Sequence, residues 1–337
     1  MSRLPRNQIL IGDARQVLAT LPTDSVDCVM TSPPYFRIRD YQHEQQIGLE
    51  SHVDDWVHEL LLVSRKLARV LKGSGSLWLN LGDTYSRRPS EGAPEKSLIL
   101  APERLALALV GDGWLLRNKV IWAKTNPVPN SVSDRLTGTY DLVYFFTRQR
   151  HYFFDLDAVR IPHTSKRSPS QAKGWSLPYG WRAPASLGDN EGLARLKAQG
   201  HVGHPLGKNP GDVWPLATGG YRGPHHSIFP ERLVERPLLA TCPQRVCSRC
   251  GKPWTREPCK TLGHLAVAGE LRADCDCAAA TRPGVVLDPF MGSGTVAAVA
   301  TRLGRHWLGV ELNPAFAALA NERLSQLEQR APPKRAA

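Results

Sequence analysis

Short apolar runs alternate with longer stretches of helical spacing along most of the chain. Gln8 to Gly12 is a short apolar run that stops at Asp13, Ala14 to Leu21 has helical spacing, and Asp27 to Thr31 is apolar again. This predicts a strand, helix, strand start whose two strands are parallel neighbours in a helix-covered sheet. Val53 to Leu71 is strongly amphipathic and is predicted to be a helix ended by Gly73 and Gly75, followed by a strand over Ser76 to Leu81 that runs into Gly82, Asp83 and Tyr85. Arg87 to Glu95 is a breaker-rich loop, and Pro102 to Val110 reads as a helix with proline at its start. Trp114 to Trp122 and Tyr140 to Thr147 form the last pair of strands of this half. Periodicity fades from His151 to His226 and returns as a helix over Phe229 to Thr241. After a cysteine-rich segment come a strand ending at Asp288, a helix over Val296 to Leu303, a strand over Trp307 to Glu311 and a helix over Pro314 to Gln329. The alternation predicts an α/β fold with a doubly wound, mostly parallel sheet.

Two strand ends carry candidate chemistry. Thr31 to Phe36 reads Thr-Ser-Pro-Pro-Tyr-Phe, and the prolines fix φ and remove backbone donors. The strand must stop there, with Ser32 and Tyr35 on a stiff bend, which is either a reaction centre or a strand terminator with a packing tyrosine. Val285 to Thr295 reads as a strand running into a glycine turn and a helix. Gly292 and Gly294 allow positive φ and close approach of a ligand, and the amides near Thr295 attract an electronegative group. Glu311, at the end of the next strand, suits ribose hydroxyls or is a solvated strand end.

Together, Ser32-Pro33-Pro34-Tyr35 and Asp288-Pro-Phe-Met-Gly-Ser-Gly-Thr295 resemble the S-adenosylmethionine-dependent DNA amino-methyltransferases of the beta-type motif order, in which the catalytic motif precedes the cofactor motif. The resemblance implies a circularly permuted Rossmann-like methyltransferase fold, as if one doubly wound sheet had been cut open between the last helix and the first strand. The two loops then lie at the carboxyl ends of adjacent strands. It further implies that Asp288, Phe290, Gly292, Ser293, Gly294 and Thr295 wrap the cofactor, that Glu311 and Asn313 contact it, and that Asp13 accepts from its adenine. An N-cap role for Asp13 is the alternative. Phe229 resembles the family's aromatic residue beside the cofactor, with a core phenylalanine as the alternative. Ser32, Pro33, Pro34 and Tyr35 would hold a base flipped out of the duplex, stacked on Tyr35.

An exocyclic amino nitrogen is a poor nucleophile because its lone pair is delocalised. Hydrogen bonds to Ser32 and to a carbonyl within Ser32 to Pro34 would localise that pair for in-line attack, without a covalent enzyme intermediate. Serine at the first position resembles the cytosine-N4 branch, whereas adenine-N6 enzymes more often carry Asp or Asn; adenine-N6 is the alternative. Cys28 reads as buried packing, and the Pro-Cys dipeptide of ring-carbon methylases occurs only as Pro258-Cys259, inside the cysteine-rich segment. An RNA or small-molecule methyltransferase, or a non-catalytic zinc DNA-binding protein, would each explain only part of the pattern.

Charge narrows the partner. Among 337 residues, 43 Lys and Arg against 31 Asp and Glu give a net charge of +12, which favours a polyanion, here double-stranded DNA. The polar segments Phe36 to Leu49 (Arg37, Arg39, Tyr41, His43) and Lys124 to Thr139 read as loops facing DNA, with solvated connectors as the alternative. The family's motif order implies that residues 151–228 are the target-recognition region, where Lys166, Arg167, Lys173, Arg182, Lys197, Lys208 and Arg222 could contact phosphates or guanine edges; a flexible insert with solvated charges is the alternative, above all over Asp189 to Gly203. The flanking divisions are a catalytic half over 1–150, a return segment over 229–241, a zinc-binding insert over 242–280, a cofactor half over 281–330 and a disordered basic tail over 331–337. Six of the seven cysteines lie between Cys242 and Cys277. Cys247-x-x-Cys250-Gly251 is half of a zinc ribbon, and Cys275 with Cys277 is the favoured other half of a structural zinc site, with Cys242 and Cys259 as competing ligands and His264 between. The N-terminus shows no signal-peptide core or membrane span, so a cytoplasmic location, monomeric or homodimeric, is expected, with a companion restriction endonuclease as a further partner.

Overall fold

A computed structural model describes residues 4–162, 204, 206–219, 229–262 and 265–330. The apolar runs assemble into one eight-stranded sheet: β1 (Gln8–Ile11), β2 (Val26–Thr31), β3 (Leu71–Leu81), β4 (Leu115–Lys124), β5 (Tyr140–Thr147), β6 (Val213–Leu216), β7 (Val285–Asp288) and β8 (His306–Glu311). Their order across the sheet is β1-β8-β7-β2-β3-β5-β4-β6. Only β5 runs antiparallel to its neighbours; the other adjacent pairs are parallel.

Because side chains alternate across a strand, each strand feeds two cores. Leu77, Leu79 and Leu81 of β3 with Leu142, Tyr144 and Phe146 of β5 face helices α1 (Ala14–Thr20), α2 (Val53–Val70) and α3 (Ala101–Gly111). On the opposite face, Met30, Trp78, Val143 and Phe145 meet α4 (Glu231–Thr241), α5 (Thr295–Arg302) and α6 (Pro314–Arg330). Every residue of β2 and β7 is buried, as a central parallel strand covered on both sides requires. This is the doubly wound, permuted sheet expected from the sequence.

The structure departs from expectation in three places. β1 and β2 are not neighbours, because β8 and β7 lie between them. The half-exposed β1 suits an edge, whereas the wholly buried β7 belongs at the centre. Gly73 and Gly75 do not end α2; Leu71 turns extended, and both glycines lie inside β3. Close approach explains them there: a Cβ at Gly75 would sit 2.6 Å from Leu71 Cδ1 and 2.9 Å from the Asp27 carbonyl oxygen. Finally, Val213–Leu216, in the aperiodic stretch, adds β6 beside β4.

The chain divides into two compact units, one of Met1–Asp155, Gly211–Thr255 and Ala273–Ala337, the other of Leu156–Pro210 and Arg256–Arg272. The first holds the sheet. In the second, Ile161 and Lys208 exchange backbone hydrogen bonds of 3.0 and 2.9 Å, and Lys260–Leu262 pairs antiparallel with Leu265–Val267. Lys166, Arg167, Lys173, Arg182, Lys197, Arg222 and His264, with the tail over 331–337, lie outside the described residues. Among the described residues no helix is long and apolar enough to cross a membrane.

Candidate active site

β7 lies beside β2 in parallel register, Val286 opposite Cys28 and Leu287 opposite Val29, so the loops that follow them emerge side by side. Asp288 ties them together. Its Oδ1 accepts from Thr31 Oγ1 at 2.6 Å and from the Phe290 amide at 3.1 Å. Burial pushes this carboxyl up to about 7, with the Thr31 and Phe290 bonds opposing. Glu311, at the end of β8, accepts from the Gly292 amide at 2.7 Å with one oxygen and from the Asn313 amide at 3.0 Å with the other. Burial raises its pKa as well. Gly292 has φ +50° and Gly294 φ +77°, both in the left-handed region open to glycine. Gly294 caps α5, and Arg323 from α6 donates to the Ser293 carbonyl and Thr295 Oγ1 at 3.1 Å each. The cradle is therefore pinned by Glu311 and Arg323.

Asp13 is the N-cap of α1, accepting from the Arg15 amide at 2.7 Å, and its carboxylate also pairs with the Arg15 guanidinium. Burial opposes ionisation, but the bonds from Arg15 prevail and hold this carboxyl below its ordinary value.

On the other loop, the stiff bend is held by packing and hydrogen bonds. Trp56 Nε1 donates to the Pro34 carbonyl at 2.9 Å, and the buried Phe36 meets Trp56 edge-on at 6.4 Å. A Cβ at Gly82 would come within 2.7 Å of the Tyr35 ring, so Gly82 gives that ring its place. Asn80, on β3, donates to Tyr35 Oη at 2.8 Å and to Ser32 Oγ at 3.3 Å, and Ser32 Oγ lies 3.3 Å from the same phenol oxygen. Asp141 of β5 acts on Tyr35 through its charge, and its Oδ1 accepts from Lys124 Nζ at 2.8 Å. Burial, reinforced by the charge of Asp141, pushes the Tyr35 phenol well above its ordinary value. Asn80 Oδ1 is buried and has no hydrogen-bond partner among the described residues. Cys28 is wholly buried and pushed up to about 11 by that burial, which suits packing and not nucleophilic attack.

Both loops open on one cavity of about 600 Å³. Ser32, Pro33, Pro34 and Tyr35 line it, as do Asp13, Phe229, Phe290, Gly292, Ser293, Thr295, Glu311 and Asn313. Asp288 and Gly294 stand behind the wall and shape it. Phe229 both lines the cavity and packs on the core, so its two readings coexist. Arg39, Tyr41, His43, Lys124, Val128 and Tyr140 line it as well. The left-handed glycines let the backbone reach the wall and the Glu311 carboxylate reaches it beside them, which fits S-adenosylmethionine, a nucleoside joined to an amino acid.

A family model described as DNA methylase, of the N6/N4 kind, matches residues 26–322. The chain belongs to that DNA methylase family. It is 31% identical to the type II methyltransferase M.SmaI of Serratia marcescens, over 96% of this chain and 92% of that one. It is 32% identical to M.XycI of Xanthomonas campestris pv. cyanopsidis, over 93% and 86% of the respective chains. Among solved structures, the cytosine-N4-specific PvuII DNA methyltransferase shares the fold, with a TM-score of 0.58 at 17% identity, covering 97% of this chain and 93% of that one. The DNA methylase described here uses S-adenosylmethionine as methyl donor.

The cysteines form a second centre. Sγ atoms of Cys247, Cys250, Cys275 and Cys277 all lie within 4.8 Å of one another. Amides of Cys250 and Arg249 aimed at Cys247 pull its thiol down to about 6, while the neighbouring thiol of Cys250, followed by burial, pushes Cys277 up to about 12. Cys242 is buried in the core, and Cys259 lies 3.8 Å from His204 Nε2 in the second unit, so neither joins the cluster. The turn is closed by bonds from the Gly251 amide to the Cys247 carbonyl and from the Cys247 amide to the Lys252 carbonyl, each 2.9 Å. Lys72, at the start of β3, donates to the Gly251 carbonyl at 3.0 Å and to the buried Asp27 at 2.5 Å, joining the knuckle to the sheet.

Asn80, Asp141, Trp56 and Arg323 were not legible as site residues, and Lys124 only as the start of a polar loop facing DNA. Their roles arise from strand order and helix packing, although Asn80 in an apolar strand and Lys124 after Trp122 are the polar interruptions that could have marked two of them.

Proposed function

We propose that this methylase transfers a methyl group to the exocyclic amino nitrogen of a base flipped out of double-stranded DNA, and that the nitrogen is N4 of cytosine. The convergence of the Ser32 and Gly292 loops on one cavity is the observation that carries the reading. Asp288, Phe290, Gly292, Ser293, Gly294 and Thr295 form the cofactor cradle, with Asp13, Phe229, Glu311 and Asn313 around it. When bound, S-adenosylmethionine supplies an electrophilic methyl group. Ser32 Oγ accepts one hydrogen of the target amino group, and a backbone carbonyl accepts the other. That acceptor lies within Ser32 to Pro34, where the Pro34 carbonyl already takes one bond from Trp56. These bonds draw the lone pair out of the ring and aim it. Asn80 orients Ser32 and Tyr35. Tyr35 offers its ring to the base.

A serine hydroxyl, in place of the Asp or Asn of adenine-N6 enzymes, favours cytosine. The type II names of its relatives suggest a companion restriction endonuclease. The cysteine cluster is a structural zinc site, since a tetrahedron of Zn–S bonds of about 2.3 Å needs four converging thiolates. Incubating plasmid DNA with methyl-labelled cofactor and separating the nucleosides by mass spectrometry should yield N4-methylcytosine. N6-methyladenine would instead favour adenine, and label in RNA alone would reject the reading.

A further inference from the structure

The loop between β4 and β5 carries Asn126-Pro127-Val128-Pro129, and Val128 is 82% exposed although it lines the cavity that holds Ser32 and Tyr35. Covering this valine when a partner enters the cavity would remove apolar surface from water, a favourable change. The loop is not loose at this point. Prolines on both sides of Val128 restrict it to extended backbone. Asn126 Oδ1 accepts from the Thr218 amide at 2.7 Å, the Arg135 guanidinium lies 3.7 Å from the Tyr85 ring centre, and Lys96 pairs with Asp134 at 3.1 Å. At the loop's base the Lys124 amide donates to the Thr139 carbonyl at 2.8 Å. A stiff, braced, apolar tip thus stands beside the pocket that receives the base.

We propose that Val128 is a positioning residue for base flipping: it enters the stack and fills the space the target base leaves. This rests on the reading of the site as one for a flipped base. Proteins that unstack bases insert apolar wedges, because a gap in the stack exposes two base faces that a valine can cover. Among the exposed apolar residues that line the cavity, Val128 stands furthest into solvent, at 82% against 54% for Tyr140 and 43% for Ile38, while Leu136, at 91%, does not line it.

The test compares wild type, Val128→Gly, Val128→Leu and Leu136→Gly on two duplexes containing the mapped methylation site, one fully paired and one with the target opposite an abasic site. Transfer by wild type to the paired duplex establishes the reading on which the wedge rests. Val128→Gly should then lose at least tenfold in kcat/KM on the paired duplex and recover to within about twofold of wild type on the pre-opened one. Val128→Leu should stay near wild type, and cofactor affinity should be unchanged in all. Equal loss by Val128→Gly on both duplexes, no loss on either, or a rescuable loss confined to Leu136→Gly would overturn the proposal.

Discussion

Asp288 is the residue on which the two loops meet, and its ionisation is unusual. Wholly buried, it is pushed up to about 7, against an ordinary value of 3.8 that it regains when unfolded. Between those values the folded protein holds a proton that the unfolded chain has released. The stability this contributes is therefore fully present below about pH 4 and is lost as pH rises through about 7, beyond which it is flat. Asp288→Asn cannot titrate, so the urea midpoint of wild type relative to the variant should fall as pH rises from 5 to 8. A difference independent of pH would show that Asp288 is ionised throughout. Asn80 makes a separate point at this scale. In sequence it is only a polar interruption of an apolar strand, and the placement of β3 beside β2 is what puts it against Ser32.

At the level of elements, the periodic segments were largely legible. Helices and strands of regular spacing lie where the pattern put them, and both loops follow the strands expected to deliver them. What escaped were features set by neighbours and not by period. β6 is four residues with an internal proline in an aperiodic stretch, recognisable only by its pairing to β4. Gly73 and Gly75 mimic a helix stop, yet they leave room for the side chain of Gln149 at Gly73 and for the Leu71 side chain and Asp27 carbonyl at Gly75. The cysteine knuckle is an element held to the sheet by Lys72, whose partner Asp27 also accepts from the Val285 amide at 2.9 Å. Zinc loss should thus be felt as lost stability of the knuckle. Purified protein should carry about one zinc per chain, and Cys250→Ser should lower that content and the Tm together. Wild-type protein free of zinc, with the same Tm after chelation, would refute a metal role.

The whole molecule brings residues 32–35 and 288–295 to one wall although most of the chain separates them, because β8 and β7 slot between β1 and β2. That insertion is why strand adjacency at the edge was misjudged while adjacency at the centre held. A sheet cut open and re-ended in this way keeps the ligand crevice at the carboxyl ends of its strands, wherever the chain begins. On the proposed reading the two halves of the site also draw on different elements, the cofactor cradle on β7, β8 and Arg323 and the target pocket on β2 and β3. The most direct measurement is therefore to pair calorimetric cofactor titration with single-turnover methyl transfer in Ser32→Ala. The expected result is an unchanged Kd for S-adenosylmethionine with transfer slowed by about 100-fold or more, the scale of losing one positioned hydrogen-bonding group at a reaction centre. Transfer within twofold of wild type would contradict the account, because Ser32 would then not hold the reacting nitrogen.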